Sequence, residues 1–243
     1  MTAGGPPHEA ERERGLEIAA GVRGVQARIA QAAARVGRDP AAVRLIAVSK
    51  GCPVADVAWA AAADVGDFGE NRVQEALPKL AALPVVAWHL IGQLQTNKCR
   101  LVAGRFGLVH GVDRPELGEA LQRAAARAGV VQEVLIQVSL SGVPGQGGVA
   151  PAEAGDLLRR LRLLADLRVR GLMAIAPRVE EAEQARPAFA TLRVLRDRLQ
   201  ARYDLPLPEL SMGMSGDYPV AVEEGATLLR IGRALLGALQ RRP

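Results

Sequence analysis

The feature that most constrains this chain is a series of short apolar runs, each followed by a stretch with helical periodicity. This alternation is typical of a parallel sheet, because a parallel strand needs a long crossover connection before the next strand. Eight runs occur: Val43–Ser49, Val65–Gly69, Val86–Ile91, Phe106–Val112, Glu133–Val138, Val169–Ala176, Glu209–Met214 and Thr227–Ile231. Eight strand–helix units close naturally into a barrel, so the sequence predicts an α/β fold with one (β/α)8 barrel. An open doubly wound sheet is the structural alternative.

The segments between the runs are candidate helices: Glu70 to Leu83, Pro115 to Ala128, Pro151 to Ala165, Glu180 to Arg202 and Val220 to Gly225. Glu70 and Glu75 are expected to open the first of these, where acidic side chains complement the helix dipole. A further helix over about residues 9–37 precedes the barrel, since apolar residues there recur every three or four positions. Residues 1–8, with glycines and prolines, are predicted to be a disordered leader, and residues 9–243 a single domain.

Charge and cysteine content limit the possible partners and compartment. The net charge is +5, but the arginines alternate with acids along helical stretches, and aromatic residues make up only 3%. This pattern argues against nucleic-acid binding, which needs a basic patch and stacking side chains. Two cysteines and the lack of a long apolar run predict a protein of the reducing cytoplasm with no membrane association. Three scattered histidines give no metal-ligand spacing, so no metal is expected.

Lys50 is the sharpest chemical signal. It is one of only three lysines and follows the first apolar run, at the strand end where barrel active sites lie. An ammonium partly desolvated there loses its proton more readily, and a neutral amine attacks carbonyls to form a Schiff base. The alternative is a lysine that simply extends from the strand into water. Cys52, close by, is expected to be a small buried residue.

Two glycine-containing segments suggest phosphate binding. Ser211–Ser215 and Ile231–Ala234 stand at the ends of the seventh and eighth runs, the positions where barrels repeatedly bind phosphate through backbone N–H groups. Each glycine alone is equally explained by a tight turn. Together with Lys50, which neighbours them around a closed barrel, they indicate a phosphate-bearing aldehyde bound as an imine.

The order and length of several motifs resemble the pyridoxal phosphate homeostasis proteins, over nearly the whole chain after residue 40. The matching segments are Ala47–Lys50, Phe68–Glu75, Trp88–Lys98, Gly171–Ile175, Leu210–Ser215 and Arg230–Gly232. The resemblance implies a monomeric barrel like the N-terminal domain of alanine racemase, which binds pyridoxal 5′-phosphate (PLP). It implies that Lys50 is the imine lysine and that Arg230 faces the pyridine nitrogen. Ser211 or Ser215, Gly232 and Arg233 would surround the phosphate.

Two further residues are assigned from their positions. Asn71, at a strand end, is predicted to bond the ring oxygen or the imine lysine. His89 is predicted to lie beside or under the ring, and a core histidine bonded to a backbone carbonyl is the alternative.

The chain departs from the family pattern in two places. Pro144–Gly148 stands where relatives commonly have a Ser-Lys-x-Gly stretch, so any anion contact of that lysine is in doubt here. Arg233 stands where relatives often have a small hydroxyl residue, and its guanidinium is predicted to replace the hydroxyl contact with a charge-assisted bond.

Arg230 affects whether a bound PLP ring could support catalytic turnover. A guanidinium donates hydrogen bonds only, so a pyridine nitrogen facing it stays unprotonated and the ring is a weak electron sink. Racemases with this arrangement use a second base, usually tyrosine, from another domain or subunit, and a barrel of this length is expected to leave no residues for one. Tyr218 is the only conceivable second base, although an aromatic residue that shields the ligand is favoured.

The expected function is PLP binding for intracellular vitamin B6 homeostasis, with little or no turnover and with PLP-dependent apoenzymes as candidate recipients. The alternatives are a PLP-dependent amino-acid racemase of low activity and a Schiff-base aldolase that acts on a sugar phosphate without a cofactor.

Overall fold

A computed structural model describes residues 9–140 and 147–237. Eight parallel strands form one closed barrel in sequence order, and the last strand pairs with the first. The strands are β1 (Arg44–Val48), β2 (Asp67–Glu70), β3 (Ala87–Leu90), β4 (Leu108–Val112), β5 (Gln132–Val138), β6 (Leu167–Ala174), β7 (Glu209–Ser211) and β8 (Leu228–Ile231). The closed pairing confirms the predicted barrel and excludes the open sheet. The predicted leader, residues 1–8, lies outside the described residues.

Several strands are shorter than the apolar runs that predict them. Val43 is buried although β1 begins at Arg44, and Met212 is buried although β7 ends at Ser211. Burial continues into the loops at both ends of the barrel, whereas strand pairing requires a neighbour in register. Apolar runs therefore overestimate strand length.

The helices surround the barrel: α1 (Glu9–Arg35), α2 (Val54–Ala62), α3 (Val73–Ala82), α4 (Pro115–Ala128), α5 (Ala154–Leu161), α6 (Arg186–Tyr203), α7 (Tyr218–Glu223) and α8 (Arg233–Leu236). A 3₁₀ helix, Thr96–Leu101, connects β3 to β4. The prediction that Glu70 opens a helix is wrong. Glu70 ends β2, where it pairs with Leu90, and α3 starts three residues later. Glu75 does lie in the first turn of α3, as predicted.

The N-terminal helix α1 covers the outer layer near the closure of the barrel. Its buried stripe includes Ile18, Val22, Val25 and Ile29, and it lies against α2, α7 and α8. The helix ends close to the predicted boundary, because Gly37 takes a left-handed φ of 65° and Pro40 follows. Among the described residues, no helix combines the length and apolar character that a bilayer crossing needs.

Two regions of buried side chains are separated by the sheet. The larger one fills the space between the sheet and the helices. The smaller one lies within the barrel and consists of Ile46, Leu108, Leu135, Met173 and Leu228. The buried polar side chains His89, His110, Ser211 and Arg230 also belong to barrel strands. The interior is thus partly apolar and partly a polar network, and that network leads to the C-terminal rim.

Candidate functional site

The strand register places Lys50 and Asn71 side by side at the C-terminal rim, with Arg230 deeper on the neighbouring strand. Ile46 of β1 pairs with Arg230 of β8, and Val48 of β1 pairs with Gly69 of β2. Lys50 and Asn71 each come two residues after this last pair. Lys50 therefore stands between Asn71 on one side and Arg230, deeper in the barrel, on the other.

Lys50 itself is exposed, so the expected partial desolvation of its ammonium is wrong. The strand ends at Val48, and Gly51 takes a left-handed φ of 70°, so residue 50 lies in a turn at the rim. A pocket of about 330 Å³ opens there and is lined by Lys50, Gly51, Asn71, Arg72 and Glu75. The amine is accessible to a small molecule that enters from the rim.

A buried ion pair fixes the backbone just before Lys50. The Ser49 hydroxyl donates to Oε1 of Glu70 at 2.7 Å. The Lys79 ammonium donates to the same carboxylate oxygen at 2.6 Å and to the Ser49 carbonyl at 2.6 Å. Glu70 is fully buried and Lys79 nearly so. This cluster was not predicted from the sequence, although the scarcity of lysine was a signal that Lys79 has a specific role.

Cys52 lies two residues beyond Lys50 and is buried. Burial raises the pKa of its thiol to about 11, with the Lys79 ammonium opposing this shift. The thiol is therefore protonated and unreactive near neutral pH. This confirms the prediction of a small buried residue.

The loops after β7 and β8 are joined to each other. The Met214 N–H donates to Oδ1 of Asp217 at 2.6 Å, and the Ala234 N–H donates to the Ser215 hydroxyl at 3.3 Å. Burial raises the pKa of Asp217, although the bond from Met214 opposes this. Gly232 lies against β1, since a Cβ there would be 3.5 Å from the Cβ of Val48. The two predicted phosphate loops thus meet beside the strand that carries Lys50, and Arg233 is exposed at the start of α8.

Gly213 is required by the turn after β7, so Gly213→Ala is expected to destabilise the protein by about 2–4 kcal/mol. Its φ is +91°, and an added Cβ would lie 2.6 Å from the Cβ of Ala221. Gly216→Ala in the same loop is the control, because nothing lies within 4 Å of its added Cβ. Urea unfolding should show a change within about 0.5 kcal/mol for the control. Equal stability of the two variants would contradict this role of Gly213.

Arg230 is buried in the barrel, where it pairs with Ile46, four residues before Lys50. Nη1 donates to the Ser211 hydroxyl and Nη2 donates to the Ala174 carbonyl at 2.9 Å. Burial lowers the pKa of Arg230 to about 10, and the Asp217 carboxylate opposes the shift. The guanidinium is therefore charged at neutral pH. Because the Ser211 hydroxyl is engaged inside the barrel, Ser215 is the better placed of the two serines predicted for the phosphate.

His89 lies inside the barrel, and both of its ring nitrogens contact protein groups. Nε2 is 2.8 Å from Oδ1 of Asp67, and Nδ1 is 3.0 Å from Nε2 of His110. Neither partner is the backbone carbonyl considered from the sequence. Asp67 and His110 were not predicted as site residues, because contacts across a barrel interior depend on register and strand tilt. His89 is connected to Arg230 through His110 and Ser211, which favours indirect support of Arg230 over direct contact with a ligand ring.

His110 makes the stability of the folded state depend on pH. Burial lowers the pKa of His110 well below 6.5. Positive charge on His89, Arg230 and Arg44 acts in the same direction. The Asp67 carboxylate contacts the far side of His89. Below pH 6.5 the unfolded chain binds a proton that the folded chain does not, so stability falls as the pH falls. The slope contributed is up to about 1.4 kcal/mol per pH unit, until the folded-state pKa is reached.

The measurement is urea unfolding of the native protein and His110→Gln at pH 7.5, 6.5 and 5.5. The variant should lose less stability on acidification, since it lacks the group. Parallel pH profiles would show that His110 takes up its proton equally in both states.

Tyr218 is the first residue of α7 and is only 1% exposed, packed in the layer between sheet and helices. Its hydroxyl has no hydrogen-bond partner among the described residues. Tyr218 therefore begins a buried helix instead of lying in an open loop, and its role toward a ligand stays a prediction. Pro219 and Val220 continue a buried helical turn, which loop-like sequence context did not reveal. Tyr203, on α6, donates to the Gly155 carbonyl at 3.0 Å.

Comparisons with known proteins agree with this geometry. The family model described as alanine racemase, N-terminal domain, matches residues 23–240. A pyridoxal phosphate homeostasis protein of Pseudomonas aeruginosa is 46% identical over 224 residues, which cover 91% of this chain and 95% of that protein. The chain belongs to the pyridoxal phosphate homeostasis protein family. A family member from Aquifex aeolicus is 43% identical over 212 residues, or 86% of this chain and 93% of that protein.

A solved structure is similar as well. PipY of Synechococcus elongatus PCC7942, solved with PLP bound, has a TM-score of 0.77 and 43% identity. The match covers 86% of this chain and 100% of PipY. The resemblance inferred from the motifs is therefore confirmed, and the homeostasis-family barrel is like the N-terminal domain of alanine racemase.

Proposed function

We propose that this protein binds PLP covalently, as a Schiff base on Lys50, and serves intracellular PLP homeostasis with little or no turnover. The observation that carries the proposal is the junction of β8, β1 and β2, where Lys50 and Asn71 follow paired strand ends and Arg230 is buried deeper in the barrel on the neighbouring strand. When bound, PLP supplies an aldehyde that condenses with an amine and a ring that can accept electrons. The Lys50 nitrogen joins the aldehyde carbon, and one water molecule leaves.

The chemistry of the available groups fits PLP. Lys50 provides an accessible amine, and Arg230 provides a buried charged donor for a ring nitrogen. We assign the phosphate to the joined loops that hold Ser215, Gly232 and Arg233, where backbone N–H groups and a guanidinium are available. Asn71 would bond the ring oxygen or the lysine nitrogen.

The proposed low turnover rests on Arg230 and on the tyrosines. A charged guanidinium keeps a facing ring nitrogen unprotonated, so the ring withdraws electrons weakly. Tyr218 is packed in the core and Tyr203 bonds Gly155, so we assign the role of a base to neither tyrosine. These positions favour holding the cofactor over racemising an amino acid.

Absorption spectroscopy tests the proposal. The protein incubated with PLP should show a visible band that borohydride removes with fixation of the cofactor. A colourless protein that borohydride traps only with a sugar phosphate would instead indicate the aldolase alternative.

A racemase of low activity is the second candidate, because the matching family model is named for alanine racemase. Exchange of the α-hydrogen of alanine or serine in deuterated water separates the two functions. Exchange at an ordinary enzymatic rate, about 10 per second, would contradict a carrier.

We also propose that the protein acts as a cytoplasmic monomer and that PLP-dependent apoenzymes receive its cofactor. The loaded protein should run as a monomer in size-exclusion chromatography. It should restore activity to a PLP-dependent apoenzyme while a PLP scavenger removes the free cofactor.

A further inference from the structure

Five side chains form a continuous hydrogen-bonded chain through the barrel: Arg230, Ser211, His110, His89 and Asp67. The Ser211 hydroxyl accepts from Arg230 and lies 2.9 Å from Nδ1 of His110. His110 Nε2 lies 3.0 Å from Nδ1 of His89, whose Nε2 lies 2.8 Å from Asp67. Arg230, Ser211 and both histidines are buried. The chain therefore links the buried Arg230 cation to a partly exposed carboxylate at the N-terminal end of β2.

Only one direction of donation satisfies every member when both imidazoles are neutral. Arginine has no acceptor, so the Ser211 oxygen accepts from Arg230 and its own proton goes to Nδ1 of His110. His110 then carries its proton on Nε2 and donates it to Nδ1 of His89. His89 in turn donates from its Nε2 to the Asp67 carboxylate. Reversing the bond between the histidines would place the only proton of a neutral His89 on Nδ1, so its Nε2 and the Asp67 carboxylate would face each other as two acceptors.

The charges around the chain favour this direction. A cation at one end and a carboxylate at the other align every donor toward Asp67. Asp67 also lies 3.6 Å from the Arg44 guanidinium, which bonds Glu209 at 2.8 Å. Burial and the neighbouring cations lower the pKa of His110, which keeps it neutral at pH 7.

We propose that His110 and His89 are positioning residues of the cofactor site, which hold Ser211 as an acceptor and thereby fix the Arg230 guanidinium toward the bound ring. The proposal rests on the proposed function, because it takes Arg230 to face the ring nitrogen. Arg230 is held on two sides, by Ser211 and by the Ala174 carbonyl, and the proposal assigns its remaining N–H groups to the ring. Loss of His110 removes the acceptor for the Ser211 proton, so the hydroxyl reorients and no longer holds Arg230 in place.

Nitrogen-15 NMR of the histidines tests the chain without any cofactor. The protein has three histidines, so single His→Gln variants assign each resonance. At pH 7, Nε2 of His110 should carry the proton that is donated to His89, and Nδ1 of His110 should carry none. A doubly protonated ring, or a proton on Nδ1 of His110, would overturn the proposed direction.

PLP binding tests the positioning role through a matched pair of variants. His110→Leu removes both ring nitrogens and should weaken PLP binding about 10-fold, as expected for a disturbed bond to a charged group. His110→Gln keeps one acceptor and one donor at this position and should restore affinity to within about threefold. Ser211→Ala removes the hydroxyl that accepts from Arg230 and serves as the second variant if His110→Leu does not fold.

The outcomes separate this proposal from the function on which it rests. Failure of the unmodified protein to bind PLP would overturn the proposed function, and the positioning role with it. Normal binding by the unmodified protein and by folded His110→Leu would overturn the positioning role alone. Weakened binding by His110→Leu that His110→Gln does not rescue would also overturn it, because packing alone would then account for the loss.

Discussion

Lys50→Ala abolishes the covalent adduct with PLP. Lys50 is the lysine whose amine lies at the rim, between Asn71 and the strand that carries Arg230. Alanine has no nitrogen to condense with the aldehyde, so the visible band and the borohydride-fixed cofactor should both be lost completely. The measurement is the absorption spectrum with PLP, followed by intact mass after reduction.

Lys98→Ala is the matched control for this loss. Lys98 is half-buried on the 3₁₀ helix between β3 and β4 and does not line the pocket beside Lys50. The control should form the adduct to the same extent as the unmodified protein. An adduct that survives in Lys50→Ala, or disappears in Lys98→Ala, would move the attachment to another residue.

Lys79→Met destabilises the protein by about 3–5 kcal/mol, because it leaves a buried carboxylate without its countercharge. The Lys79 nitrogen is 2.6 Å from Oε1 of Glu70, which is fully buried. The other carboxylate oxygen of Glu70 has no hydrogen-bond partner among the described residues, so nothing there compensates the loss. The Ser49 carbonyl loses a donor as well. Urea unfolding at pH 7 measures the change.

The double variant Glu70→Gln/Lys79→Met separates charge from packing. Glutamine is neutral, and its carbonyl oxygen can still accept from the Ser49 hydroxyl. Most of the lost stability should return, because replacing both members of a buried pair costs far less than removing one. A Lys79→Met protein within about 1 kcal/mol of the unmodified one would show that the pair contributes little. Equal instability of the single and double variants would point to packing instead.

Much of the fold could be predicted from the sequence, because the constraints on it are local. A strand of a parallel sheet that is covered by helices must be apolar over several residues, and the eight runs satisfy this condition in order. Glu70 shows the limit of local reasoning. An acidic residue before a helix suggests a helix start, yet its backbone pairs with Leu90 and its charge is met by Lys79, nine residues away. Sequence alone does not reveal that partner.

The residues of the candidate site that lie at strand ends could be predicted from the sequence. The contacts inside the barrel, and how far each side chain is buried, could not. Lys50 stands out because it directly follows the first apolar run, and Arg230 because it is a charged residue near the end of the eighth. Their exposures differ, because Lys50 lies in the turn after β1 whereas Arg230 lies within β8. His110 and Asp67 enter the network through contacts that span 101 and 22 residues of sequence, respectively. Such contacts are set by the closed register and not by any local pattern.

A crystal structure of the protein soaked with PLP tests the central claim most directly. The account predicts continuous electron density from Nζ of Lys50 to the cofactor, with the ring nitrogen within hydrogen-bonding distance of Arg230. The phosphate should lie between the loops of Ser215 and Gly232. A cofactor bound at another lysine, or a ring nitrogen that faces away from Arg230, would contradict it.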